Sequence, residues 1–166
     1  MHLSITPMAP EDIPAVVEIE RNSNLEPWTA ESFLEELGRP RSVVLVARAA
    51  PSRNPGEGTE EGGACAVVGY VCFWCVADEV QILNIAVAPA HRRMGIGRRL
   101  LHDSLQWGRK NKARFAVLEV RPSNTAAQML YERAGFRIVG KRPDYYGVVK
   151  EPALLMELEM IDEQWE

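Results

Sequence analysis

The stretch Asn84-Ile-Ala-Val-Ala-Pro-Ala-His-Arg-Arg-Met-Gly-Ile-Gly-Arg-Arg-Leu-Leu101 decides the fold of this chain. It predicts a buried strand that stops at Pro89, then a turn, then the start of a helix. Gly95 and Gly97 have no Cβ, so the backbone of the turn can approach a ligand closely. The helix directs its free N–H groups and the positive end of its dipole at the turn, which favours an anion there. Four cations that match phosphate geometry complete the pattern: Arg92, Arg93, Arg98 and Arg99. We therefore expect a phosphorylated ligand at this turn.

Composition limits the class of protein. The 166 residues, 46% of them apolar, suit one domain over residues 1–166 with a substantial core. A net charge of −4 argues against a general nucleic-acid binder. Residues 91–114, however, carry eight Lys or Arg against one Asp. This local excess coincides with the glycine turn and its helix, and favours a phosphate site over a polyanion-binding surface.

Targeting, membrane and metal features are not predicted. The first eight residues lack a charged segment followed by an apolar one. The longest apolar run, residues 64–77, is too short for a membrane span. Three cysteines do not make a disulfide framework, and the three histidines lack ligand spacing, so no metal site is expected. We expect a cytoplasmic protein.

The pattern along the chain predicts a mixed α/β sheet with helices on its faces. A short strand starts at Ile5, and a Pro- and Gly-rich segment at about 51–63 is predicted to be a flexible loop. The predicted helices span residues 12–22, 29–38, 95–110 and 123–134, with Asp12 and Thr29 as N-caps. Further strands are predicted over residues 42–49, 65–76, 80–87, 115–120, 136–140 and 153–160. The strands at 65–76 and 80–87 are almost continuously apolar, which is typical of strands covered on both faces.

One carboxylate stands out in the strand at 115–120. Alternation places Glu119 on the same face as Phe115 and Val117, at the carboxyl end of the strand, where open α/β sheets bind ligands. Glu119 is therefore either a general base or a carboxylate paired with a cation such as Arg121. Both interpretations remain open from the residues alone.

The helix at 123–134 adds a second candidate. Tyr131 lies one turn after Ala127, beside a small-residue face that we expect to pack on the sheet. Its hydroxyl could donate a proton, or it could simply bond to a backbone carbonyl in the core.

Together these motifs resemble the GNAT acetyltransferase superfamily. Arg92-x-x-Gly95-x-Gly97, following a strand that ends Val87-x-Pro89, looks like its acetyl-CoA pyrophosphate loop. A closer resemblance is to the RimI type, the ribosomal-protein-alanine N-acetyltransferases, and it covers nearly the whole chain. It rests on Leu118-Glu-Val-Arg-x-Ser-Asn124, Leu130-Tyr-Glu-x-x-Gly-Phe136, Asp144-Tyr-Tyr146 and Pro27-Trp-Thr29. This chain departs from the pattern at Glu26, where relatives often carry an aromatic residue or His, and at Pro122.

The resemblance implies a fold and a set of roles. The fold would be a mixed, mostly antiparallel sheet of six to seven strands flanked by about four helices. Glu119 would be the general base, directly or through a water, and Tyr131 the general acid for the departing CoA thiolate. Trp28, Tyr145 and Tyr146 would line the path of the acceptor peptide, although the tyrosine pair could equally anchor a loop. Acetyl-CoA would be held by Ile85, Ala86, Val87, Arg92, Arg93, Met94, Gly95, Ile96, Gly97, Arg98 and Asn124.

The implied reaction transfers acetyl from acetyl-CoA to the N-terminal α-amino group, expected to be alanine, of a ribosomal or other protein. The amine would attack directly in a ternary complex, without metal or covalent intermediate. One alternative is a lysine side chain or a small-molecule amine as acceptor. Another is a non-catalytic acetyl-CoA sensor, which the presence of both Glu119 and Tyr131 disfavours. We expect no direct nucleic-acid or membrane contact, and a monomer or weak homodimer.

Overall fold

Seven strands and four helices follow one another in the described part of the chain. A computed structural model describes residues 1–51, 65–143 and 151–160. The strands are β1 (His2–Pro7), β2 (Ser42–Ala50), β3 (Ala66–Val76), β4 (Glu79–Val87), β5 (Phe115–Val120), β6 (Arg137–Arg142) and β7 (Ala153–Glu159). The helices are α1 (Ile13–Arg21), α2 (Ala30–Leu37), α3 (Ile96–Lys110) and α4 (Thr125–Arg133). Apart from Pro51, the loop predicted at 51–63 lies outside the described residues.

The strands are ordered β1-β2-β3-β4-β5-β7-β6 in one sheet. β1 with β2, β5 with β7 and β6 with β7 are antiparallel pairs, whereas β4 and β5 run parallel. The mixed, mostly antiparallel sheet with four helices is therefore confirmed. Among the described helices, none has the length and apolar character needed to cross a membrane.

The chain divides into two compact units. The first contains Met1–Cys72 and Ile85–Asp103, and the second contains Phe73–Asn84 and Ser104–Glu166.

In the first unit, aromatic side chains fill the core between helix and strand. Phe33 of α2 and Tyr70 of β3 are fully buried and meet edge to face at 5.3 Å between ring centroids. Gly69 of β3 permits a close approach here, because a Cβ would lie 3.1 Å from the Ala86 carbonyl oxygen and from Leu100 Cδ1, tighter than most Cβ contacts. The first turns of α3 can therefore pack directly on β3, which fixes where the turn before α3 sits.

In the second unit, α3 and β4 also approach each other closely. A Cβ at Gly108 would overlap the side chain of Val80, so only glycine fits at this contact. Leu105, Ala116 and Met156 are buried in the same unit. This packing supports β5, the strand that carries Glu119.

Several local predictions differ from the structure. β1 begins at His2, three residues before the predicted start, because its pairing with β2 extends to Ala50. β3 is buried continuously in its central residues as predicted, but β4 alternates between buried and half-buried residues over its first half. Tyr131 is the buried residue of α4, whereas Ala127 and Leu130 of the predicted small-residue face are half-buried.

Asp12 occupies the predicted N-cap position but does not cap α1 with its side chain. Its carboxylate instead accepts the N–H of Ala9 at 2.8 Å and both Nη atoms of Arg48, at 2.8 and 2.6 Å. Hydrogen bonds from Arg48 hold the pKa of Asp12 below its ordinary value. Asp12, which the local sequence predicts as a cap, thus forms a long-range ion pair that links the start of α1 to β2. Thr29 does cap α2, accepting the N–H of Ser32 at 3.2 Å.

Candidate active site

The turn between β4 and α3 has the backbone of an anion site. As the chain leaves β4, the Ala88 N–H donates to the Val68 carbonyl at 2.7 Å, which ties the exit of β4 to β3. Farther on, Arg93 has φ +62° and Gly95 has φ +80°. No atom lies within 4 Å of a Cβ built on Gly95, so its backbone conformation, not a lack of space, calls for glycine. Left-handed residues within such turns arrange successive N–H groups into a concave surface for anions.

The amides of this turn are directed away from protein acceptors. The Arg99 N–H to Gly95 carbonyl bond, 3.0 Å, is the first of α3. The N–H groups of Met94, Gly95, Ile96, Gly97 and Arg98 precede it, and within the described ranges no protein oxygen accepts them. A diphosphate therefore fits the residues present, because it supplies the oxygens that these amides lack.

The arginines of the turn have different partners. The Arg92 guanidinium folds back on the protein: Nε donates to the Val87 carbonyl at 3.2 Å and Nη2 to Ser23 Oγ at 3.2 Å. Arg99 pairs with Asp103 at 3.3 Å. By contrast, Arg93 and Arg98 are exposed and contact no carboxylate in the described part of the chain. Arg93 and Arg98 are the cations available to an anionic ligand, whereas Arg92 buttresses the turn.

The end of β4 that leads into this turn carries Ile85, Ala86 and Val87. Ala86 is buried and its two neighbours are half-buried. Parallel pairing of β4 with β5 is limited to Glu79–Ile82 against Phe115–Leu118, so the last β4 residues lie beyond that ladder. The Val87 carbonyl already accepts from Arg92, which leaves the remaining main-chain groups of this segment as the candidates for contact with a bound acyl donor.

Glu119 lies near the end of β5, opposite Leu155 of β7. Its side chain is 27% exposed, and its Oε1 is 3.2 Å from Nη2 of Arg142. The partner is therefore Arg142 of β6, not Arg121 as the sequence suggested. For Oε2 the described residues provide no partner. Glu119 is thus a partly exposed carboxylate with one oxygen paired to a cation, and the other oxygen is the candidate to take a proton.

Tyr131 and Asn124 lie at the two ends of α4. Tyr131 is 6% exposed, and its ring lies 5.8 Å from that of Phe136. Asn124 is the N-cap, and its Oδ1 accepts the Ala127 N–H at 3.2 Å. Ser123, the residue before it, donates its hydroxyl to Glu151 at 2.8 Å. The carbonyl end of the Asn124 side chain is therefore committed to the helix, and its amide group is the end that could contact a ligand.

Of the three predicted acceptor-binding residues, the structure describes Trp28. The centroid of its ring lies 5.4 Å from that of Phe33, and the backbone N–H of Trp28 donates to Glu20 Oε1 at 3.2 Å. Tyr145 and Tyr146 lie outside the described residues.

The local environment disfavours chemistry at two of the cysteines, Cys72 and Cys75. Burial raises the pKa of Cys72 to about 12 and also raises the pKa of Cys75. Both thiols lie on β3 and remain protonated near neutral pH, so neither is a nucleophile. Within the described residues, no group of His, Cys, Asp and Glu side chains is placed to hold a metal ion.

Two residues that contact predicted site residues were missed from the sequence, Glu20 in the first unit and Arg142 in the second. Arg142 comes 23 positions after Glu119, and Glu20 lies within an ordinary amphipathic helix. A carboxylate at a core position of α1 was the available signal for Glu20, whereas nothing local marks Arg142.

Comparison with known proteins places these features in a family. The family model described as the acetyltransferase (GNAT) family matches residues 13–136. A putative ribosomal protein bS18-alanine N-acetyltransferase of Bacillus subtilis (strain 168) is 38% identical over 147 residues, covering 88% of this chain and 88% of the relative. The ribosomal protein bS18-alanine N-acetyltransferase of Escherichia coli (strain K12) is 31% identical, covering 93% and 96%.

A solved structure agrees with the sequence comparison. The crystal structure of the ribosomal-protein-S18-alanine N-acetyltransferase from Escherichia coli superposes with a TM-score of 0.78 at 28% identity, covering 99% of both chains. The fold and enzyme class predicted from the sequence are confirmed. The chain belongs to the acetyltransferase (GNAT) family.

Proposed function

We propose that this enzyme transfers the acetyl group of acetyl-CoA to the N-terminal α-amino group of a ribosomal protein, with alanine as the expected first residue. The observation that carries the proposal is Glu119, a partly exposed strand-end carboxylate with one oxygen paired to Arg142, in a chain similar over nearly its full length to alanine N-acetyltransferases. The known relatives act on ribosomal protein bS18, which makes a protein of this kind the first acceptor to test.

The acetyl-CoA diphosphate is assigned to the turn before α3. The amides of residues 94–98 would donate to its oxygens, and Arg93 and Arg98 would neutralise its charge. Main-chain groups of Ile85 and Ala86, and the amide of Asn124, are proposed to contact the pantetheine arm and thioester.

Glu119 is proposed to remove the proton that the amine must lose. The amine nitrogen forms a bond to the thioester carbonyl carbon, the carbon–sulfur bond breaks, and the amine proton passes to Glu119 directly or through one water. Both reactants are held in one complex, so no acetyl-enzyme is needed.

Tyr131 is proposed to donate its hydroxyl proton to the departing thiolate. Burial and the contact with Phe136 limit the motion of the ring, which suits a fixed acid. Tyr131→Phe removes the proton and keeps the packing, so it separates this role from a structural one.

The protonation of the acceptor favours an α-amine. With a pKa near 8, about 10% of an N-terminal amine is neutral at pH 7, whereas an unperturbed lysine is only roughly 0.04% neutral. A single carboxylate base is therefore sufficient for an α-amine and a poorer match for a lysine side chain.

Mass spectrometry of two matched peptides tests the proposal. Both begin with alanine and contain one internal lysine, and one of them is blocked at its N-terminus. Incubation with acetyl-CoA should add one acetyl group to the open peptide, located on the α-nitrogen by fragmentation, and none to the blocked peptide. Acetylation of the blocked peptide on lysine, or transfer only to small amines, would overturn the acceptor assignment. Binding of acetyl-CoA without transfer to any amine would make the chain a sensor.

A further inference from the structure

Arg142 is the one cation that the described structure places against Glu119. The two side chains form an ion pair, with Nη2 3.2 Å from Oε1. Arg142 is 53% exposed, so the contact is not a by-product of core packing. Its guanidinium remains charged throughout the working pH range, which makes it a permanent partner for a carboxylate.

Strand register explains how Arg142 reaches Glu119 across β7. Glu119 lies opposite Leu155, and Arg142 lies opposite Ala153, two residues along β7 from Leu155. Because side chains alternate along a strand, Leu155 and Ala153 share a face, and their partners Glu119 and Arg142 share it too.

A β-bulge in β6 creates this arrangement. Ile138 pairs with Met156 and Gly140 pairs with Leu155, so Val139 is an extra residue in β6. If β6 continued a regular ladder from Ile138 with no bulge, Val139 would lie opposite Leu155 and Arg142 opposite Pro152, on the other face of the sheet from Glu119. Bulges of this kind redirect side chains and are frequent beside active sites.

The geometry points to Arg142 as a positioning residue for the general base. We propose that the Arg142 guanidinium, directed by the bulge at Val139, holds Oε1 of Glu119 so that Oε2 faces the proton to be removed. Arg142 does not itself touch the reacting atoms, and it acts only through Glu119. The inference rests on the proposed function in that it assumes that Glu119 is the base.

A double-mutant cycle on the full chain tests the role. Arg142→Gln removes the charge and the forked donor set, and we expect kcat to fall about tenfold with KM for acetyl-CoA and for the peptide unchanged, because the base is misdirected rather than a binding site lost. Arg142→Lys, which keeps the charge, should recover part of the loss. In a Glu119→Gln background, Arg142→Gln should have no additional effect.

Lys141→Gln provides the matched control. Lys141 is the preceding β6 residue, lies opposite Leu154 and therefore faces away from Glu119. The kcat of the Lys141→Gln variant should equal that of the wild type. An unchanged kcat in Arg142→Gln, or an equal loss in the Glu119→Gln background, overturns the positioning role alone, because the wild type still acetylates its peptide. Absence of transfer by the wild type to any amine overturns the proposed function and, with it, this inference.

Discussion

Two glutamates, one in each unit, show how differently the chain treats a carboxylate. Glu20 of α1 is fully buried and accepts hydrogen bonds from the Tyr70 hydroxyl, from Asn24 Nδ2 at 2.8 Å and from the Trp28 N–H at 3.2 Å. Glu119 of β5 is 27% exposed and, within the described ranges, forms one ion pair, with Arg142. Burial alone would rank Glu20 above Glu119 as a functional residue.

The difference lies in what each carboxylate can still accept. Donors from β3 and from the segment after α1 occupy Glu20, so a further proton has little access to it. Replacement of Glu20 would leave these buried polar groups unsatisfied. Glu119 lies partly exposed at a strand end, and within the described residues its Oε2 has no partner. We infer that Glu20 stabilises the first unit and positions Trp28, whereas Glu119 does chemistry. The predictions below test that division.

The largest effect is expected for Glu119→Gln. The amide keeps the shape but cannot take a proton, so kcat should fall about 100- to 10,000-fold, the usual contribution of a general base. The thermal midpoint should stay within experimental error, because the residue is partly exposed and makes one ion pair. Steady-state kinetics with an alanine-initiated peptide and a thermal melt measure the two quantities.

Glu157→Gln is the matched control for that variant. Glu157 lies opposite Val117, on the same face of the sheet as Glu119, and we expect its kcat to remain near that of the wild type. A comparable loss in both variants would mean that general charge on this face matters, not the position of the base.

Glu20→Ala is expected to reverse the pattern. Three donors lose their acceptor in a buried site, which should lower the free energy of unfolding by about 3 kcal/mol. Chemical denaturation measures the change. The exposed Glu18 on the same helix gives the control, since Glu18→Ala should change stability by less than about 0.5 kcal/mol. A stable Glu20→Ala protein with severely reduced kcat would instead place Glu20 in the reaction.

The turn before α3 could be predicted from sequence because its information is local. Two glycines, a strand that stops at proline and a following helix act within about 15 residues, and each step has one physical solution. The structure bears this out in the φ angles of Arg93 and Gly95 and in the amides of residues 94–98. The same holds for α2, where Thr29 and Gly38 mark both ends.

The carboxylate partners could not be predicted, because each depends on distant strands. Asp12 looks like a cap until β2 supplies Arg48. The ion pair of Glu119 depends on the β6–β7 register. The extra residue Val139 shifts that register by one position, which moves the following β6 side chains to the other face of the sheet. The alternation of side chains in the sequence predicted which face of β5 carries Glu119. It could not predict that the ion-pair partner of Glu119 is Arg142 rather than Arg121.

Asp12→Asn extends the comparison to a carboxylate that is buried and ion-paired. Arg48 would keep its charge and lose a forked partner, and we expect the free energy of unfolding to fall by about 2 kcal/mol at neutral pH. Activity should be unaffected at temperatures where the variant is folded.

The pH dependence of the same variant gives an independent test. Hydrogen bonds from Arg48 lower the folded-state pKa of Asp12, so the stabilisation is fully present above the unfolded-state pKa, about 4. It is lost as pH falls through the lower, folded-state pKa. Acid denaturation curves should therefore converge for wild type and Asp12→Asn at low pH and diverge toward neutrality. A constant difference at every pH would assign the loss to packing.

The smallest effect is expected for Arg39→Gln. This variant tests how the contribution of an ion pair to stability depends on the solvent exposure of its cation. Buried Glu36 accepts Arg39 Nη1 at 2.8 Å and the Ser42 hydroxyl at 2.6 Å. Arg39 is 49% exposed, whereas Arg48 beside Asp12 is 24% exposed. Since water can solvate the site and Ser42 remains bonded, the free energy of unfolding should fall by only about 0.5 kcal/mol. A loss as large as that of Asp12→Asn would show that burial of the carboxylate, rather than of its cation, sets the energy of these pairs.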